Sequence, residues 1–354
     1  MKTGISLVDM AKEIERRKAS KRDFVADTRK LEVASTGDKI VLQNGNAPLG
    51  EFGIRPYAHR QLGEHLQIPA KFYDRLRAKH PDVLAHTVNQ LLQREPSRQM
   101  VRTLDGDMRA FLSDRYRPLD DSDLAEAVLP ELLSMQDLRI ESTQFTETRM
   151  YIKAVFPRIQ TEVRKGDVVQ SGIVISNSEV GAGSLQVVPM VFRLVCLNGM
   201  IAADYGQRRY HVGRRAEGDS ESAFELFSDV TKRLDDAALW SKVRDTVRGV
   251  LKADVLTRIV ERMREATEQR LEGSIEQIVE VTAQRFAYSE TAKTGILRHL
   301  IEGADLTRYG LMNAITRQSQ DEEDYETATK MEADGGALIE LPQTQWREIV
   351  KQAA

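Results

Sequence analysis

Cysteine, long apolar runs and aromatic residues are all scarce in this chain of 354 residues. The single cysteine, Cys196, excludes an internal disulfide and a cysteine-based zinc site, as expected for a reducing compartment. No apolar run approaches the roughly 18 residues that a membrane span needs, so we expect no membrane partner. The first residues lack the apolar segment of a signal peptide, and we therefore expect a cytoplasmic protein.

Sequence motifs for cofactors and catalysis are also missing. No GxxxxGK[ST] phosphate loop occurs, and Gly181-Ala182-Gly183 lacks the third glycine of a dinucleotide-binding loop. Asp105 and Asp107 could form a carboxylate pair for a metal, as could the acidic residues at 120–123, but turn and helix-cap roles explain both groups more simply. We expect no catalytic residues, no metal and no cofactor, and the sequence favours a binding protein over an enzyme. A metal-dependent nuclease stays open only if Asp105 and Asp107 converge with further carboxylates.

Short apolar runs rich in β-branched residues dominate the middle of the chain and predict buried strands. Three of these runs are Ile173–Ile175, Leu185–Val191 and Val195–Leu197. Asn198-Gly199 predicts a turn after the third run. Cys196 lies inside that run, and we expect it to be a small core residue rather than a nucleophile.

Helical periodicity flanks the middle of the chain on both sides. Residues 57–94 have helical periodicity, and their first pair of helices, within residues 59–80, predicts a packed helical hairpin with Pro69 at the start of its second helix. The hairpin resembles a DNA-reading helix-turn-helix, but its second helix begins with few polar residues that could contact bases. Beyond Gly218, apolar residues recur every three or four positions and predict long amphipathic helices that end at Gly335-Gly336.

This order of elements predicts an α+β fold with a mainly antiparallel central sheet, a helical N-terminal part and a helical C-terminal domain. We predict three parts along the chain. Residues 1–95 form an N-terminal hairpin and helical region, residues 96–217 a β-rich α+β core, and residues 218–354 an acidic C-terminal helical domain.

A resemblance to a known family is carried by several runs in a constant order. The run RAFLSDRYRPLDD (Arg109–Asp121) resembles the signature of the phage/plasmid-like domain-of-unknown-function family. FRLVCLNGMI (Phe192–Ile201), HVGRR (His211–Arg215) and LTRYGLMNAITRQSQD (Leu306–Asp321) are similar to the same family. Its members occur on phages, plasmids and integrated elements. The resemblance therefore implies a mobile-element protein and favours a role in DNA replication, recombination or defence, without assigning a chemistry.

Charge is unevenly distributed along the chain, although the net charge is only −3. Residues 139–215 hold eleven Lys and Arg against six Asp and Glu, a local charge of +5. Residues 216–354 hold eighteen against twenty-seven, a local charge of −9. A basic middle beside an acidic third indicates that one region meets a polyanion and the other avoids it. A solvated surface with chance variation in charge is the alternative.

Arginine and tyrosine are interleaved in DRYRP (Asp114–Pro118) and in YGQRRYHVGRR (Tyr205–Arg215). Grooves that hold single-stranded nucleic acid have this composition, because cations contact phosphates and aromatic rings stack on bases. For Tyr116 the alternative is a core residue, beside arginines that pair with the acids that follow. The predicted nucleic-acid-binding residues are Arg115, Tyr116, Arg117, Tyr205, Arg208, Arg209, Tyr210, His211, Arg214 and Arg215.

The sequence thus predicts a mobile-element DNA-binding protein that acts in single-strand binding or annealing during recombination or replication. We expect single-stranded DNA as its partner and self-association into a homo-oligomer, since open sheet edges need cover. In its order of elements the chain resembles the ring-forming single-strand annealing proteins. The alternative is a protein-interaction or host-inhibitory factor that acts through the helical domain without binding DNA.

Overall fold

The computed structural model describes residues 1–44, 47–116, 118–203 and 229–352. The strands of this part are β1 (Arg22–Asp27), β2 (Leu31–Val33), β3 (Lys39–Asn44), β4 (Ala47–Ile54), β5 (Arg98–Leu104), β6 (Asp107–Ser113), β7 (Arg139–Phe145), β8 (Met150–Glu162), β9 (Val168–Asn177), β10 (Gln186–Arg193) and β11 (Asn198–Ile201). The helices are α1 (Leu7–Ser20), α2 (Pro56–His65), α3 (Ala70–Lys79), α4 (Pro81–Arg94), α5 (Asp121–Leu133), α6 (Asp229–Val250), α7 (Ala253–Thr267), α8 (Ile275–Phe286), α9 (Glu290–Gly303), α10 (Arg308–Gln318), α11 (Tyr325–Glu340) and α12 (Gln343–Gln352). A 3₁₀ turn at Thr28–Lys30 joins β1 to β2.

The first sheet has the strand order β1-β5-β6-β4-β3-β2. All its pairs are antiparallel except the short contact between β4 and β6. Helices α2 and α4 cover one face, where Leu62, Leu84 and Val88 pack with Val101 and Met108 of the strands. The helical spacing of apolar residues and the alternation in the strands therefore meet in one core.

The second sheet has the order β11-β10-β9-β8-β7 and is antiparallel throughout. Its central strands are buried on both faces over Met150–Phe156 and over residues 169–177. Ile152 and Ile173 face a core shared with α1, α5 and α6. Val174, on the opposite face, packs in a cluster that includes Ala333 of α11. Because helices cover both faces, these strands are nearly continuous apolar runs rather than alternating ones.

The structure confirms the predicted α+β class, the mainly antiparallel pairing and the helical C-terminal part. The strands form two sheets, and β1 to β4 share the first of them with β5 and β6, on both sides of residue 95. The division at residues 95 and 217 stays a prediction. In the described ranges no helix is both long and apolar enough to cross a membrane.

The structure corrects two expectations about the end of the second sheet. Val195 and Leu197, predicted to lie in a buried strand, belong to a tight turn and are 62% and 59% exposed. Leu197 adopts a left-handed φ of 52°, which reverses the chain there. Asn198-Gly199, predicted as a turn, instead begins β11 opposite Arg193 and Phe192.

Gly335-Gly336 does not end the helical part as predicted, because both glycines lie inside α11. A Cβ on Gly335 would meet the methyl group of Thr316, and a Cβ on Gly336 would overlap the carbonyl oxygen of Ile201. The missing side chains let α11 approach α10 and β11 closely. The pair is thus a packing feature rather than a helix stop.

Candidate functional site

Of the predicted nucleic-acid-binding residues, the structure describes Arg115 and Tyr116. Arg115 is exposed. Tyr116 is half-buried, and its hydroxyl donates a hydrogen bond of 3.2 Å to the carbonyl oxygen of Ser178. Burial raises the pKa of Tyr116 to about 12. The residues outside the described ranges are Arg117, Tyr205, Arg208, Arg209, Tyr210, His211, Arg214 and Arg215.

Two other candidate residues lie in turns between strands. Asp105 occupies the β5–β6 turn with a left-handed φ of 56° and accepts a 2.7 Å hydrogen bond from the Ser20 hydroxyl. Cys196 is half-exposed in the β10–β11 turn, not in a buried strand, and its Sγ lies 3.2 Å from Nη1 of Arg193. Across the described ranges, no group of three or more His, Cys, Asp or Glu side chains is placed to hold a metal ion.

A buried cluster of charges joins the two sheets, and its first part centres on Arg102. This side chain of β5 has no exposed surface. Its Nε donates to Asp23 of β1 at 3.0 Å, and its Nη2 donates to Asp120 at 2.8 Å. Its Nη1 reaches the carbonyl oxygen of Glu179, just beyond β9, at 2.7 Å. One guanidinium thus connects the first sheet to the end of the second.

The second part of the cluster lies beside it and holds an unusual carboxyl group. Arg109 of β6 pairs with Glu179 at 2.5 Å, and Glu179 also accepts the backbone N–H of Asp121 at 2.7 Å. Asp121 accepts a 2.8 Å hydrogen bond from the Asn177 amide. Burial, with the nearby charge of Glu179 second, raises the pKa of Asp121 to about 8. These bonds hold the start of α5 against β9, so the cluster positions the two sheets.

A separate pocket of about 540 Å³ lies between the second sheet and α11. Its apolar lining includes Val174, Val188, Ile201 and Ala333. Asp324, the N-cap of α11, lines it as well, as do Thr327 and Lys330 of this helix, and all three are exposed. The pocket therefore opens to solvent along the first turns of this helix and is closed below by the strands.

The charged side chains that line the pocket already bond within the protein. Nη2 of Arg149 donates to the carbonyl oxygen of Ala182 at 2.7 Å. Nζ of Lys330 lies 2.7 Å from Asp334. On the acidic side, Glu326 accepts from the Thr148 hydroxyl at 2.7 Å, and Asp324 accepts from the backbone N–H of Thr327 at 2.6 Å. Lys330 is thus paired with a carboxylate, and the other charged groups are held by neutral hydrogen-bonding groups of the protein.

Three neutral polar side chains on the pocket floor have no such partner. Tyr151, Ser176 and Gln186 line the pocket from β8, β9 and β10. They are register neighbours across the sheet and therefore stand in one row. Tyr151 and Ser176 are only 5% and 3% exposed. Among the residues that the structure describes, none forms a hydrogen bond with any of these three side chains.

A buried ion pair fixes α11 above this floor. Lys153 of β8 and Glu332 of α11 have no exposed surface, and Nζ lies 2.6 Å from Oε2 of Glu332. Nζ also donates to the Thr329 hydroxyl at 2.9 Å and lies 4.7 Å from the centre of the Tyr325 ring. The desolvation of a pair without water contact is costly, and the Thr329 hydroxyl and the Tyr325 ring offset part of that cost. The pair therefore sets the position of the helix over the sheet.

A model of the family described as Domain of unknown function (DUF932) matches residues 110–334, more than half of the chain. The chain belongs to this family. No curated protein and no solved structure matches the chain. The DUF932 match confirms the expected membership of an uncharacterised domain family. The matched residues include every pocket residue named above, together with Asp121 and Glu179 of the charge cluster.

Sequence reasoning missed both the pocket and most of the charge cluster of this DUF932 chain. A signal was present for the buried cations, because Arg102 and Lys153 stand alone within apolar strand sequences. Lys and Arg are almost never fully buried unless they are paired, so such residues predict a distant acidic partner. No comparable signal marks the pocket, since Ser176 and Gln186 are ordinary strand-end residues in the sequence.

Proposed function

We propose that the protein binds single-stranded DNA, as a single-strand-binding or annealing protein of a mobile genetic element. The composition of residues 205–215 carries the proposal. Four arginines and two tyrosines fall within these eleven residues, without an acidic residue among them. Cations that follow a phosphate backbone, with rings for base stacking, are the general means of binding single strands. The strand would be held passively, and base pairing would be left to the nucleic acid.

The ion pairs of the described middle segment support this assignment. Most of its basic side chains are compensated by acids within the protein, so they add little to a polyanion site. The surplus of positive charge along residues 139–215 therefore falls mainly on Arg208, Arg209, Arg214 and Arg215. The compensated pairs are Arg139–Glu141, Lys153–Glu332, Arg158–Asp137, Arg164–Asp305 and Arg193–Asp167.

The test is a double substitution, Arg208→Ala with Arg209→Ala, measured by fluorescence anisotropy with oligothymidylate over a range of salt concentrations. We expect weaker binding to every sequence and a salt slope reduced by about 1.4, since each phosphate contact on single strands contributes about 0.7. Arg258→Ala with Arg262→Ala on α7 removes the same charge from an exposed helix face and serves as the matched control. Affinity and slope equal to those of the wild type in the first variant would favour the protein-interaction alternative.

A further inference from the structure

We propose that the pocket between the second sheet and α11 binds a nucleobase. The size of the pocket agrees with such an occupant, because cavities for small organic ligands typically measure about 300–1,000 Å³. At about 540 Å³ it lies within this range and far exceeds the space that a few waters need. If the occupant is a base of a bound DNA strand, the proposal rests on the proposed function.

The charged side chains around the pocket already take part in hydrogen bonds within the protein. Arg149 and Lys330 bond to protein acceptors, and Glu326 bonds to protein donors. A free phosphate or a zwitterion would have to compete with these bonds. On the pocket floor, the hydrogen-bonding groups without a partner among the described residues are the neutral ones in the row Tyr151, Ser176 and Gln186. The row therefore suits an uncharged polar group.

The same row selects a flat ring with polar groups along one edge. Neighbouring side chains across an antiparallel sheet are roughly 5 Å apart, so the row is about 10 Å long. The carboxamide of Gln186 offers a donor beside an acceptor, and the hydroxyls of Ser176 and Tyr151 can do either. Burial raises the pKa of Tyr151, so its hydroxyl stays protonated. Glutamine pairs in this two-bond manner with adenine edges in protein–DNA complexes.

Apolar residues complete the site for the face of such a ring. Val174 and Val188 lie next to the polar row on β9 and β10, and Ala333 faces them from α11. A nucleobase presents this combination of apolar faces and a polar edge, whereas an aliphatic chain lacks the polar edge. Ala203, at the end of the pocket lining, precedes residues 205–215 by a single residue. The pocket lining and the residues that carry the proposed function are therefore close in sequence.

The decisive variant is Ser176→Ala with Gln186→Leu in the full chain, which removes two groups of the row while keeping the volume of the side chains nearly constant. Binding of the four deoxynucleosides is measured by calorimetry, and binding of an oligonucleotide and of an abasic oligonucleotide of equal length by anisotropy. Gln277→Leu, the same chemical change at an exposed position of α8, is the control. Ala333→Phe fills the pocket and provides a second variant, and circular dichroism verifies that each variant is folded.

We expect the double variant to bind deoxynucleosides about tenfold more weakly, deoxyadenosine most of all, which corresponds to about 1.4 kcal/mol. If the double variant also binds the oligonucleotide more weakly, but binds the abasic oligonucleotide as the wild type does, the occupant is a base of the strand. If only deoxynucleoside binding falls, the occupant is a free nucleoside. Wild-type protein that binds no deoxynucleoside, together with oligonucleotide binding that is unaffected in both variants, would overturn the inference. Deoxynucleoside binding without any binding of DNA would contradict the proposed function alone.

Discussion

Asp121 is a residue whose protonation state the fold has changed. Its carboxyl group is buried and near Glu179, and its pKa rises from an ordinary 3.8 to about 8. At neutral pH it therefore retains a proton that the unfolded chain has lost. A neutral carboxyl group can accept the Asn177 hydrogen bond without placing a second negative charge beside Glu179. The cost of a buried charge is thus avoided.

This shift predicts a pH-dependent stability. Because the folded state holds the proton between pH 4 and 8 and the unfolded state does not, the contribution of Asp121 is complete below pH 4 and is lost as the pH rises through 8. The slope is at most about 1.4 kcal/mol per pH unit. Asp121→Asn imitates the protonated group, and we expect it to flatten the decline measured by urea unfolding from pH 5 to 8. Asp74→Asn, at an exposed position of α3, is the control. A decline that persists in Asp121→Asn would contradict the assignment of the raised pKa to Asp121.

Helix α11 depends on close approach as well as on side-chain contacts. Gly336 faces the backbone of β11, where a Cβ would overlap the carbonyl oxygen of Ile201. Alanine is the better helix former by about 1 kcal/mol, so intrinsic propensity and packing predict opposite effects at this position. Because the backbone of β11 is held by its pairing with β10 and lies in a closely packed interior, packing should prevail.

Gly336→Ala should accordingly destabilise the protein by about 1–3 kcal/mol, despite its higher helix propensity. Gly249→Ala in α6 is the matched control, since a Cβ there meets nothing within 4 Å. We expect that variant to gain about 0.5–1 kcal/mol. Both are measured by chemical unfolding with circular dichroism. A stabilising effect at both positions would mean that α11 can move away from β11 at no cost.

Our prediction of self-association concerns the edge of the first sheet and the charge of the whole chain. Among the described strands, β1 lies at the edge of the first sheet and pairs with β5 alone, and Val25 in this strand is 48% exposed. An open edge with apolar residues favours pairing with another chain. The opposite charges of residues 139–215 and 216–354 would favour a head-to-tail arrangement, which closes into rings or continues as filaments.

We therefore predict an oligomer larger than a dimer, which assembles more readily at low salt or with single-stranded DNA. Val25→Lys should reduce assembly, because an edge lysine opposes strand pairing. Val83→Lys, at a similarly exposed position on α4, should not. Light scattering at micromolar concentration provides the measurement. A wild-type monomer under all these conditions would contradict both the oligomer and much of the annealing proposal.

Local sequence was enough to locate most helices and strands and to identify the fold class. Ile173–Ile175 and Leu185–Val191 are found in or beside β9 and β10, and Pro69, predicted at the start of a helix, is the N-cap of α3. Such elements follow from the spacing of apolar residues and from turn and cap residues, which act over a few positions. The prediction was wrong where local signals were ambiguous, as at Val195–Leu197, where an apolar run forms an exposed turn.

Pairing between distant residues required the folded chain. Lys153 meets Glu332 across 179 positions, and Arg109 meets Glu179 across 70. The row Tyr151, Ser176 and Gln186 exists because the register of three strands aligns these residues, and a shift of one residue would turn them to the other face. Register and helix placement result from the sum of many non-local contacts, which no short stretch of sequence contains. The apolar pattern therefore determined what is buried, and the packing of sheet and helix determined which polar groups meet.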